Sequence, residues 1–160
     1  MQIEIITTGG TIDKVYFDAK SSFEIGEPQI GDVLRDANLT INYQITPLLR
    51  KDSLDLTDAD RDLIKQAVIE SSAERIVLTH GTDTMVETAN FLRGIAEKTI
   101  VLTGSMQPAR FRFTDAIYNI ASAITSVLLL PEGVWIAMNG QIFDPEKSRK
   151  NVELNRFEVV

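Results

Sequence analysis

Apolar residues follow two rhythms along this chain. In Ile3–Ile6, Ile41–Thr46, Arg75–Thr79, Thr99–Thr103 and Val134–Met138 most positions are apolar or β-branched, the pattern of strands covered on both faces. Between these runs the period lengthens. The segment 57–72 sets Ala59, Leu63, Ala67 and Val68 on one face and Asp58, Asp62 and Lys65 elsewhere; 84–97 repeats Met85, Ala89, Leu92 and Ala96; 114–130 repeats Ile117, Ile120, Ala121, Ile124 and Leu128. Each predicts an amphipathic helix, and Pro131 with Gly133 ends the last one. Residues 18–28, with Lys20-Ser21-Ser22 and Gly26, fit neither pattern and read as the longest mobile loop.

Strands alternating with helices predict a mostly parallel β-sheet flanked by helices on both faces, because a crossover to a parallel neighbour needs about a dozen residues or more. The fold class is α/β, of the three-layer Rossmann-like or flavodoxin-like kind. A chain of 160 residues can bury one adequate core, and no repeat, low-complexity tract or Gly/Ser linker divides it, so residues 1–160 read as a single domain. Ligands of such sheets sit beyond the carboxyl ends of the strands.

Composition narrows the chemistry. A formal charge of −7 with scattered basic residues repels phosphate backbones, so no nucleic acid partner is expected. No apolar run is long enough to span a bilayer, so no membrane association is expected either. Met1-Gln2-Ile3-Glu4 lacks the features of a secretory signal, and the expected location is cytoplasmic. Without cysteine, and with one histidine, thiolate catalysis and cysteine- or histidine-rich metal sites are excluded. Catalysis would have to use hydroxyls, carboxylates or lysine, and no cofactor or metal is implied.

Three predicted strand ends carry similar residues: Thr8-Gly9-Gly10-Thr11, His80-Gly81-Thr82-Asp83-Thr84 and Thr103-Gly104-Ser105-Met106. Glycine lets backbone approach a ligand closely, while hydroxyls and helix-starting N–H groups offer donors to a carboxylate or an oxyanion. A purely structural account exists for part of this, since Thr84 with Glu87 fits a capping box. The Gly9-Gly10 pair lacks the spacing of either nucleotide-binding fingerprint. Capping uses one polar side chain per helix start, however, and these loops carry a surplus of hydroxyls that points to a ligand.

Thr8-Gly9-Gly10-Thr11-Ile12 followed by His80-Gly81-Thr82-Asp83-Thr84-Met85 resembles the two ordered signatures of the bacterial-type L-asparaginase family. Asp52-Ser53-Leu54-Asp55 resembles its serine-containing substrate loop, and Gly104-Ser105-Met106-Gln107-Pro108 a further family segment. The resemblance implies hydrolysis of asparagine to aspartate and ammonia, with minor glutaminase activity possible. Thr11 would be the nucleophile that forms an acyl-enzyme, and Thr82 would work with Asp83 and Lys150. Ser53 would hold the substrate α-carboxylate and Asp83 its ammonium group, with Asp52, Gly10 and Gly81 lining the site. A free lysine, with a pKa near 10.4, is a poor base at neutral pH, so Lys150 would have to be partly desolvated. His80, with no serine nucleophile elbow nearby, reads as structural.

Three departures from the family pattern matter. Leu54 stands where the substrate loop usually has a polar residue, and Phe23 where a mobile loop usually carries a tyrosine, leaving Tyr16 as the nearby phenol. The family completes each site with a C-terminal domain of a neighbouring protomer, and this chain reads as a member without that domain. The resemblance is therefore to the family's N-terminal domain, and a homo-oligomer whose neighbouring chains close the site is expected, or else an open site with high KM. The other readings are an amino-acid binding or sensing module without catalysis, and an ammonia-supplying component of an amidotransferase.

Overall fold

The computed structural model describes all 160 residues. In chain order the strands are β1 (Gln2–Gly9), β2 (Lys14–Phe17), β3 (Ser22–Ile25), β4 (Asn42–Lys51), β5 (Arg75–Thr79), β6 (Thr99–Thr103), β7 (Gly133–Met138), β8 (Gln141–Phe143), β9 (Ser148–Asn151) and β10 (Arg156–Val159). The helices are α1 (Ile30–Asp36), α2 (Asp58–Glu70), α3 (Met85–Phe91) and α4 (Ala116–Leu129). No helix is long and apolar enough to cross a membrane.

The central sheet runs β4-β1-β5-β6-β7-β8, parallel except for the β7–β8 pair. Taken alone, the five parallel strands have the 2-1-3-4-5 order of flavodoxin-like folds. One face of the sheet presents Ile6, Ile76, Leu78, Ile100, Leu102 and Ile136 to a core shared with α2 and α3. The other presents Ile3, Ile5, Val77, Val101 and Ala137 to α1 and α4. Alternate residues of strands covered on both sides are thus apolar in both directions, and the three-layer expectation holds. The chain goes from β1 outward to β4 and then crosses back over β1 to β5, so the connections diverge between β1 and β5. That divergence leaves a crevice at the carboxyl ends of these two strands, where such folds bind ligands.

The helix phases need correction. In α2 the buried stripe is Arg61, Ile64 and Val68, whereas Leu63 is half exposed and Ala59 exposed. In α4 the buried positions are Ala116, Asn119, Ile120, Ala123, Ile124 and Val127, with Ile117 and Ala121 exposed. Both stripes are rotated by about one residue from the predicted faces, because a buried arginine and a buried asparagine take core positions once they find partners. The second predicted helix, 84–97, ends at Phe91, and Ala96 lies beyond it, exposed. Residues 18–28 are not a featureless loop: Ser22–Ile25 pairs antiparallel with Lys14–Phe17.

Candidate active site

The polar loops meet through their glycines. Gly10 has φ 87° and ψ −177°, a region essentially reserved for glycine. A Cβ on Gly10 would lie 2.6 Å from the Gly81 Cα, and one on Gly81 would lie 2.6 Å from the Ser53 Cβ and Oγ. The turns after β1 and β5 are therefore stacked backbone on backbone, and the Ser53 side chain of the turn after β4 packs directly on Gly81. Hydrogen bonds hold the stack: Gly10 N–H donates to the Lys51 carbonyl at 3.0 Å, His80 N–H to the Thr103 carbonyl at 2.9 Å, and the Thr8 hydroxyl to the Thr79 carbonyl at 2.8 Å. Ala109 N–H donates to the Ile12 carbonyl at 3.0 Å, which ties the 104–115 loop to the turn carrying Thr11.

Thr11 opens a short 3₁₀ turn through Asp13 and is half-buried. Thr82 is 6% exposed. Lys150 Nζ donates to the Thr82 Oγ1 at 2.8 Å and to the Asp83 Oδ1 at 2.7 Å. The lysine reaches this point because β9 and β10 form a hairpin in which Lys150 lies directly opposite Phe157. Directly opposed residues of an antiparallel pair share a face. Phe157 is buried in the core against Phe143, so the same face turns Lys150 inward, leaving its side chain 13% exposed. Arg149 and Glu158, paired on the other face, remain in solvent contact.

Ser53 sits in a 3₁₀ turn, fully buried, and its hydroxyl has no hydrogen-bond partner. Such an orphaned buried group is costly unless a ligand or water meets it. Asp52 is engaged in its own loop: its side chain accepts from Leu54 N–H at 3.1 Å and pairs with Lys14 at 3.5 Å. Leu54 points outward and is largely exposed. The Thr84 hydroxyl does not cap α3; it donates to the Ser53 carbonyl at 2.9 Å. The capping box expected at Thr84–Glu87 is found instead at Thr57–Asp60, where side chain and backbone bond reciprocally. Thr84 is freed from capping because holding the Ser53 turn against the cleft uses the same hydroxyl.

Tyr16 and Phe23 are cross-strand partners on the β2–β3 hairpin, their rings edge-on at 5.4 Å, with Phe111 5.7 Å beyond Phe23. Both positions singled out by sequence thus lie on one exposed aromatic patch. His80 is fully buried: its Nδ1 is 2.7 Å from the Gly81 carbonyl and its Nε2 2.9 Å from the Thr88 hydroxyl. Burial pulls the imidazole down to about 4, so it is neutral near pH 7. Asp13, also buried, is pushed up to about 6 by desolvation, although it accepts from Gln29 N–H at 2.9 Å. Sequence reasoning passed over Arg61 and Thr88. The signal was present in Arg61, a charge three residues before Ile64 on an apolar stripe.

These features define a three-layer α/β domain in which the threonine-bearing turns after β1 and β5 abut at the topological switch point, with Lys150 bonded to Thr82 and Asp83. The family model described as Asparaginase, N-terminal, matches residues 2–158, and the chain belongs to that family. A glutaminase-asparaginase from Acinetobacter glutaminasificans is 32% identical over 99% of this chain and 52% of its own length. A glutamyl-tRNA(Gln) amidotransferase component from Methanococcus vannielii is 41% identical over 48% of this chain and 18% of its own length. Among solved structures, the thermostable L-asparaginase from Thermococcus kodakarensis superposes with a TM-score of 0.84 at 26% identity, covering 100% of this chain and 51% of that one. The chain spans about half the length of the Acinetobacter and Thermococcus proteins it matches.

Proposed function

We propose that this protein is an amidohydrolase that converts L-asparagine to L-aspartate and ammonia through an acyl-threonine. The observation that supports this most directly is the Lys150 contact to both Thr82 and Asp83, made across 68 and 67 residues of chain. In this reading the Thr11 Oγ attacks the side-chain carboxamide carbon and loses its proton, and the carbonyl π pair moves onto oxygen. The Thr82 N–H, which makes no backbone hydrogen bond, is a candidate donor to that oxyanion. Collapse expels ammonia, which takes up the proton, and leaves an ester on Thr11. Water then attacks the ester, its proton passing through the Thr82–Lys150 pair to the departing Thr11 oxygen, and aspartate leaves with Thr11 restored. The orphaned Ser53 hydroxyl suits the substrate α-carboxylate. The free oxygen of Asp83 suits its ammonium group, so both charged ends would hold the amide in place.

An ammonia assay with asparagine and glutamine tests the reading, alongside size-exclusion chromatography, because the site is proposed to be completed by a neighbouring copy of the chain. Thr11→Ala and Thr82→Val should each abolish turnover without unfolding the domain; ammonia release surviving in both would refute the assigned roles. Similarity to the amidotransferase component favours one alternative, glutamine hydrolysis in service of a partner, which predicts ammonia only when a second protein is added. A sensing module predicts that aspartate raises the Tm while no ammonia forms.

A further inference from the structure

Behind the cleft, a chain of buried polar side chains ends on the backbone of the catalytic loop. Arg61, 4% exposed, donates from Nε to the Thr88 hydroxyl at 3.2 Å. Its other nitrogens face Asp58 and Glu87 in the first turns of α2 and α3 at 3.3 and 3.2 Å. The proton positions follow from the partners. A backbone carbonyl can only accept, so His80 Nδ1 must carry the hydrogen that meets the Gly81 oxygen. A guanidinium can only donate, so the Thr88 oxygen accepts from Arg61; the fully buried imidazole touches no acidic group and stays neutral, so with Nδ1 protonated its Nε2 is bare and accepts the Thr88 hydrogen. Every bond in the chain thus runs in one direction, from Arg61 to Thr88 to His80 to the Gly81 carbonyl. The neutral imidazole required by this order agrees with its burial.

The last bond bears on the reacting residue. The Gly81–Thr82 peptide is trans, so its C=O and N–H point in opposite directions. Holding the carbonyl inward on His80 turns the Thr82 N–H outward, and that N–H has no backbone partner. We propose that Arg61, Thr88 and His80 are positioning residues that fix the Gly81–Thr82 peptide with its N–H facing the substrate and its hydroxyl within reach of Lys150. The inference rests on the functional reading above for its effect on rate, and on geometry alone for its effect on the peptide.

Because His80 is the chain's single histidine, one nitrogen-15 NMR spectrum of the imidazole reads the relay directly. At neutral pH it should show a protonated Nδ1 and a bare Nε2; an Nε2–H tautomer or an imidazolium overturns the proposal. Thr88→Val keeps the shape but removes the middle link, and Thr88→Ser restores a hydroxyl. Thr88→Val should lower kcat about 10- to 100-fold, the scale of a slightly misplaced catalytic group, with KM changing far less. Thr88→Ser should recover most of that rate. Thr88→Val should also shift the Thr82 amide resonance and raise its exchange rate, again reversed in Thr88→Ser. If Thr88→Val turns over like the unmodified protein, the proposal fails. If the unmodified protein releases no ammonia, the hydrolase reading fails. The relay is then decided by tautomer and amide: an unmoved Thr82 resonance in Thr88→Val refutes it, and a moved one restored by serine supports it. His80→Asn, whose amide can still reach the Gly81 carbonyl, should retain more activity than His80→Leu at equal melting temperature.

Discussion

Replacing Gly10 by alanine should destabilise the domain far more than the same change at Gly94, and the difference measures how tightly the catalytic loops are stacked. Two costs fall on Gly10→Ala. Its backbone, at φ 87° and ψ −177°, is in a region that costs a side-chain-bearing residue about 1–3 kcal/mol. The added methyl also meets the Cα and N of Gly81 at 2.6 Å and the His80 carbonyl carbon at 3.1 Å. All three are backbone atoms with no flexible end to swing aside, so overpacking adds about 1–3 kcal/mol. The central expectation is about 4 kcal/mol, which at about 2–4 °C per kcal/mol for a chain of this size lowers the Tm by about 8–16 °C. Gly94 also has a positive φ, 84°, but nothing lies within 4 Å of its added Cβ. Its alanine variant therefore bears only the conformational cost, about 1 kcal/mol or about 2–4 °C. Thermal melts followed by circular dichroism, with urea titrations to confirm that the slope is unchanged, give both numbers. If the two variants melt within the error of one another, Gly10 does not abut Gly81, and the convergence of the threonine loops on which the proposed mechanism depends is wrong.

Lys150→Met should reduce kcat by about 10²–10⁴-fold, the range for losing a proton-transfer group, while the far-ultraviolet spectrum stays that of the parent; a smaller loss would remove Lys150 from the mechanism. Asp13 sits near 6 in the fold against 3.8 unfolded, so its favourable contribution is complete below about pH 3.8 and is lost as the pH rises through 6. Asp13→Asn should accordingly raise the Tm at about pH 7.5, by up to about 3 kcal/mol in stability, and give no gain near pH 3.5; a pH-independent change would contradict the assigned burial. His80 works in the opposite sense: held near 4 against 6.5 unfolded, it supports the fold above 6.5 and ceases to as the pH falls through 4. Thr57→Ala should cost about 1 kcal/mol in urea unfolding because it breaks the capping box of α2.

The parallel core was legible because strands buried on both faces leave nearly continuous apolar runs. Ile3–Ile6, Arg75–Thr79 and Thr99–Thr103 fall within strands of the central sheet. Helix phase was less legible. In α4, apolar residues occupy both the buried and the exposed sides, Ile120 and Ile124 inside against Ile117 outside, so spacing alone leaves the rotation open. What decides it is Asn119, whose side chain donates to the Gly104 carbonyl at 3.0 Å and accepts from Asn139 N–H at 3.3 Å. Partners 15 and 20 residues away cannot be read from a local window. The same holds for Arg61 in α2, which is tolerated inside because Thr88, Asp58 and Glu87 meet its donors.

The site divides along a similar line. Its glycines and threonines announce themselves as motifs because backbone apposition requires glycine at fixed places, and the turns after β1 and β5 meet wherever the sheet order places those strands side by side. Lys150 had no such local mark. It lies in a polar run, Glu146-Lys147-Ser148-Arg149-Lys150, whose composition suits a solvated surface, and only the register of β9 against β10 distinguishes it from its neighbours. That register is set at a distance: Phe157 enters the core, and its N–H donates to the Asn139 side chain at 2.8 Å. A slip of one residue would turn Arg149 inward and Lys150 out. The position of the proposed base is therefore held by a phenylalanine on the opposite strand, so Phe157→Ala should impair turnover through Lys150 as well as stability through the cavity it leaves.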